Sequence, residues 1–123
     1  AFFSFLLFIF LMGCTKEKVR PLEELTQAQE MYEEGLKLIR NEDFSDSIVY
    51  FTKLLNQFPD DPKYTPWAIY EIGFVFYIKG DDEKALSYFD QVLEVSKIRG
   101  PRILADLLKK KIQSGNGYKN STY

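Results

Sequence analysis

From residue 25 onward, apolar side chains return every three or four positions, the period of an α-helix with one buried face. In 25–40 they are Leu25, Ala28, Met31, Tyr32, Leu36, Leu38 and Ile39, set among Glu30, Glu33 and Glu34. Arg40-Asn41-Glu42-Asp43 closes this segment. A second one follows with Phe44, Ile48, Phe51, Leu54, Leu55 and Phe58 on one side, until Pro59 and Pro62 stop it. The spacing predicts a third helix over 66–79, opening on Pro66 where a first turn tolerates proline. A fourth, over 82–96, follows the Lys79-Gly80-Asp81 turn and carries Ala85, Leu86, Phe89, Val92 and Leu93. Gly100-Pro101 reads as a break before a fifth, over 102–113, with Ile103, Leu104, Leu107, Leu108 and Ile112 on one face. No stretch alternates convincingly as a strand does, so the expected fold class is all-α.

The helices repeat in pairs. Laying Gly35 on Gly73, an offset of 38 residues, superposes Leu38 on Phe76, Ser47 on Ala85, Phe51 on Phe89 and Leu54 on Val92. Small residues stand where the helices of a hairpin must approach closely, and large apolar ones beside them. In this pattern 28–59 and 66–97 resemble two tetratricopeptide repeats, whose period is about 34 residues. Met31 and Ile69 depart from the motif where it favours Trp, and Asp82 where it favours an aromatic. The run FTKLLNQFPDDPKYTPWAIYEIGFVFYIKGDDEKALSYFDQVLE is similar to the repeats of outer-membrane assembly lipoproteins and of the Tol–Pal-associated periplasmic coordinator protein. The resemblance implies an α-solenoid of two helical hairpins. The fifth helix is then expected to be a C-terminal capping helix, with Arg102, Asp106, Lys109 and Lys110 toward water. The alternative is the first half of a third repeat.

The opening of the chain has another character. Residues 1–13 carry eleven apolar side chains and no charge. That is short of the ~20 residues of a spanning helix but suits the apolar region of a signal peptide. With neither an initiator Met nor a basic leader, this signal peptide reads as N-terminally incomplete. Leu11-Met12-Gly13-Cys14 resembles the bacterial lipobox, which implies that Cys14 is lipidated and becomes the mature N-terminus. Two or three acyl chains, at roughly 0.8 kcal/mol per buried CH₂, would anchor it durably. Residues 14–22 then form a lipidated, flexible tether, 23–113 the folded domain and 114–123 a polar tail. The expected location is the cell envelope, membrane-anchored, on the outer membrane facing the periplasm.

Composition narrows the chemistry. The 123 residues include one cysteine and no histidine, which removes imidazole acid/base catalysis, His-dependent nucleophiles, internal disulfides and cysteine-cluster zinc sites. Sixteen basic against eighteen acidic residues argue against a nucleic-acid partner. Asp60-Asp61 and Asp81-Asp82-Glu83 lack the spacing of a calcium loop, and the second is placed to cap a helix. Neither catalytic residues nor a cofactor or metal are expected, so the chain is not expected to be an enzyme.

What remains is a surface. In tetratricopeptide arrays the first helix of each pair lines the concave side. Matching positions assign to that groove Tyr32, Leu36, Ile39 and Arg40 from one helix, and Trp67, Tyr70, Phe74 and Tyr77 from the next. The second set lies on a helix that is apolar nearly all round, with Glu71 its only charged residue. Such a helix is equally that of an array interior, so the aromatics divide between core and groove. The expected function is a lipid-anchored protein–protein interaction module of the bacterial envelope that holds a peptide or helix segment of a partner. The alternative is a structural subunit that self-associates.

Overall fold

A computed structural model describes residues 15–118. An extended segment enters one 3₁₀ turn at Leu22–Glu24, and five α-helices follow: α1 (Ala28–Arg40), α2 (Phe44–Gln57), α3 (Tyr64–Ile78), α4 (Asp82–Val95) and α5 (Arg99–Gln113). The described residues contain no strand. Short links turn the chain back, so each helix packs on the next; α1 and α5 also reach α3. Contact is most extensive within the pairs α1–α2 and α3–α4.

Local chemistry sets the ends of these helices. At the start of α1, the Glu30 carboxylate accepts hydrogen bonds from the backbone amides of Thr26 and Gln27. Its last turn closes with Glu42 N–H donating to the Ile39 carbonyl and Asp43 N–H to the Leu38 carbonyl. The α3 terminus repeats this 38 residues on: Gly80 N–H donates to Tyr77 and Asp81 N–H to Phe76. Such a closure needs a left-handed residue, and φ is +62° at Glu42 and +77° at Gly80. Helices α2 and α4 end differently, with Phe58 N–H on Leu54 and Ser96 N–H on Val92.

Packing follows the same correspondence. A Cβ at Gly35 would stand 2.6 Å from Cε1 of Phe51, and one at Gly73 would stand 2.8 Å from Cε1 of Phe89. Only glycine lets each helix seat on its partner's ring. Leu25, Ala28, Met31, Phe51, Leu54, Ala68 and Ile72 form one core cluster; Ile69, Tyr70, Tyr77, Ala85, Phe89, Val92 and Ala105 form the second. Helix α3 contributes to both. It is buried on most sides, which is why its sequence shows almost no polar face.

Three details differ from expectation. Helix α3 begins at Tyr64, before Pro66, because the Asp61 carboxylate accepts from the amides of Lys63 and Tyr64 and starts the helix early. Gly100-Pro101 does not break the chain but lies in the first turn of α5, where a missing N–H costs nothing. Gly100 is there for space: a Cβ would meet Trp67 at 2.7 Å. The buried stripe of α5 is Pro101, Ala105, Leu108 and Ile112, while Ile103, Leu104 and Leu107 are 50%, 36% and 50% exposed. Small Ala105 allows close approach, and Lys109 and Arg102, expected in water, reach back to Asp90 and to the carbonyls of Leu93 and Ser96.

The segment expected to be a flexible tether is, from residue 15, a strap bonded to the first hairpin. Asn41 pairs with the Glu17 backbone in both directions, accepting its N–H at 2.8 Å and donating to its carbonyl at 2.8 Å. Lys16 meets Asp43, and the Arg20 side chain meets Glu30. The Tyr50 hydroxyl donates to the Arg20 carbonyl, and Lys53 to that of Leu22. Residues 1–14, with the expected signal peptide and Cys14, lie outside the described residues, as do 119–123.

Candidate functional surface between α1 and α3

Tyr32, Leu36 and Ile39 follow one another along α1 at steps of four and three, so they form a single stripe. All three are half-buried, packed on the first cluster with one edge open. On α3 the residues at 67, 71, 74 and 78 form a comparable stripe, and Trp67, Phe74 and Ile78 are likewise half-buried. The two stripes meet where the Tyr32 hydroxyl donates to Oε1 of Glu71 at 3.2 Å. The Tyr32 ring is also 5.7 Å from that of Tyr64, at the start of α3.

The other expected members of this surface are placed elsewhere. Tyr70 is 8% exposed and Tyr77 5%: both belong to the second core cluster rather than an open face. Tyr70 lies against Phe74 and Phe89 with ring centroids 6.2 and 6.0 Å away, because α4 and α5 close over that side of α3. Burial pushes its hydroxyl up to about 12. Arg40 is exposed, but its guanidinium grips Glu17 of the strap through Nε and an Nη. That hydrogen bond raises Arg40 and holds Glu17 below the ordinary carboxylate range. Of the eight expected residues, Tyr32, Leu36 and Ile39 are half-buried on the first cluster and Trp67 and Phe74 on the second, and the two stripes are joined by the Tyr32–Glu71 hydrogen bond.

Glu71 completes the surface, and expectation had given it no role. It is 9% exposed, and among the described residues it forms no ion pair. Burial pushes its carboxyl up to about 7, against the opposing pull of the Tyr32 hydrogen bond. The Tyr32 hydroxyl is raised in turn, first by its own burial and then by the facing carboxylate. Glu34 on α1 shows the contrast. Burial acts to raise it too, yet the Lys37 ammonium at 2.7 Å and the Arg20 backbone amide hold its carboxyl below the ordinary value. The sequence did carry a signal for Glu71, as the one charge on an apolar helix.

Two other features stand apart. A cleft of about 400 Å³ lies between the α2–α3 link and the end of α4, lined by Pro59, Asp60, Pro66, Ile69, Val95 and Lys97 among others. Its Asp61 is committed to the α3 start. The second is the exposed Ile103, Leu104 and Leu107 face of α5. Among the described residues, no group of three or more Cys, Asp or Glu side chains is placed to hold a metal ion, and no helix is long and apolar enough to cross a membrane. Comparison of the chain with protein-family models, curated proteins and solved structures returns no match.

Proposed function

We propose that the chain is a tetratricopeptide-like interaction module, lipid-anchored through Cys14 in the bacterial envelope, that holds a partner segment between the stripes of α1 and α3. The observation that carries this reading is the repetition itself. Gly35 on Phe51 and Gly73 on Phe89, with matching closures at Glu42 and Gly80, recur at one offset. Stacked hairpins of this kind leave the first helix of each pair along a shared concave side, suited to an extended or helical ligand. Half-buried Tyr32, Trp67 and Phe74 supply rings of the type enriched at binding hot spots. The role is binding, not catalysis. The strap is consistent with an anchor preceding it, since it fixes residue 15 beside the α1–α2 turn through Lys16 and Glu17.

Photocrosslinking in intact cells tests this. A benzoylphenylalanine at Phe74 should give a discrete protein adduct that is absent when the probe stands at exposed Glu83 on α4. Equal adducts from both positions would contradict the surface. For the anchor, Cys14→Ser should abolish fatty-acid labelling; retained label would remove the lipoprotein reading.

One observation favours self-association as a second reading. A capping helix normally turns polar side chains outward, whereas α5 exposes Ile103, Leu104 and Leu107. A dimer that Leu107→Glu converts to monomer would support it; a concentration-independent monomer would exclude it.

A further inference from the structure

The groove reading says where a partner lies; Glu71 says what it brings. Glu71 sits midway along the half-buried stripe of α3, one turn from Trp67 and one from Phe74, and no other residue of that stripe is charged. Tyr32 bonds Oε1, its ring backed by that of Tyr64, and Tyr70 adjoins Glu71 on α3. Among the described residues, Tyr32 on α1 and Tyr70 beside it on α3 are the titratable groups that face it. A carboxylate that is nine-tenths buried with one phenol and no cation is an unmet electrostatic demand, since buried charges in proteins are ordinarily paired. Aromatic rings around a carboxylate also attract a cation through their faces.

We infer, on the footing of the groove reading, that the partner segment presents a lysine or arginine to Glu71, with apolar side chains on either side that pack on Trp67 and Phe74. Charge complementarity selects this occupant over an acidic or wholly apolar segment. An acidic one would place like charges together, and an apolar one would seal the carboxylate away from water without a partner. Burial that lifts the carboxyl to about 7 fits a site incomplete in the free protein. Docking of a cation draws that value down, so binding takes up the segment and releases a proton near neutrality.

A random heptapeptide display library panned against the full chain in mild detergent at about pH 8 tests this. The enriched pool should carry Lys or Arg flanked by apolar residues. It should bind Glu71→Gln at least about ten-fold more weakly, and wild type less well at about pH 5.5, where Glu71 holds its proton. Glutamine keeps an acceptor for Tyr32 and removes the buried charge, so this variant should melt no lower than wild type at about pH 8; a lower melting point would overturn the inference, because it would mean the charge is already satisfied. A pool without basic residues, or one bound equally by Glu71→Gln, would also overturn it. If such a base-free pool is lost on Phe74→Ala, the groove stands and only the cation falls. If no pool enriches, both fall.

Discussion

Helices α1 and α3 occupy equivalent places in their hairpins, yet they meet their surroundings in opposite ways. Both seat a glycine on a phenylalanine of the following helix and close with the same pair of hydrogen bonds. Helix α1 turns Glu30, buried Glu34, Lys37 and Arg40 toward the strap, which answers them with Arg20 and Glu17 while Lys37 pairs with Glu34. Helix α3 has a hairpin on one side and α4 with α5 on the other, so the positions matching those four are Ala68, Ile72, Val75 and Ile78, and its one carboxylate meets no cation among the described residues. Position in the stack, not the repeat pattern, decides whether a charged side chain finds a partner. An end helix can borrow one from the strap; a central helix holds its charge unpaired.

The largest effect should come at the two equivalent tyrosines. Tyr70→Ala opens a cavity in the second cluster and should cost about 3–5 kcal/mol, whereas half-buried Tyr32 fills less closed space and its truncation should cost clearly less. Urea unfolding of both variants measures the gap. Equal losses would mean α3 is no more enclosed than α1.

Acidity separates the helices next. Glu71 titrates near 4.5 unfolded and about 7 folded, so between those values the folded chain holds a proton that the unfolded chain has lost. Its contribution to stability is complete below 4.5, fades as pH rises to about 7, and stays lost above; the change is ~3 kcal/mol, at 1.36 per pH unit. Glu34, held low, works in the other direction, its contribution lost as the medium turns acid. Denaturation across pH should show the rising-pH loss in wild type and not in Glu71→Gln.

A smaller effect concerns the glycines. At Gly73 a methyl would meet Cβ of Tyr88 at 3.0 Å as well as the Phe89 ring, and the Cβ cannot swing aside. Gly73→Ala should therefore cost about 1–3 kcal/mol. Gly35→Ala should cost a similar amount, since its methyl would stand 2.6 Å from the fully buried Phe51 ring. Melting temperatures lowered in one variant only would break the equivalence. The smallest effect should be a gain. Glu42 adopts a left-handed backbone that Gly80 adopts freely, so Glu42→Gly should raise stability by about 1 kcal/mol or somewhat less.

Much of this difference was legible in the sequence. The three-to-four spacing located all five helices, and the Gly35/Gly73 correspondence located the close approaches, because both depend on local period and residue size. Tertiary partners were less visible. Arg40 looked like a groove cation, but Glu17 lies 23 residues earlier and takes it. Tyr70 and Tyr77 read equally as core or groove, since an apolar helix shows no face that separates them. On α5 two stripes of similar hydrophobicity competed, and Ala105 with the reach of Lys109 to Asp90 decided which one turned inward.

Glu71 is a buried carboxylate without a counter-ion among the described residues, and both the groove and its cationic ligand turn on that. Its side-chain carboxyl carbon, labelled and followed by NMR through a pH titration of the full chain, reports this directly. A midpoint near 7 that disappears from the spectrum in Glu71→Gln is the expected result. A midpoint at the ordinary value of about 4.5 would mean that water or a cation already satisfies the carboxylate, and would contradict the account.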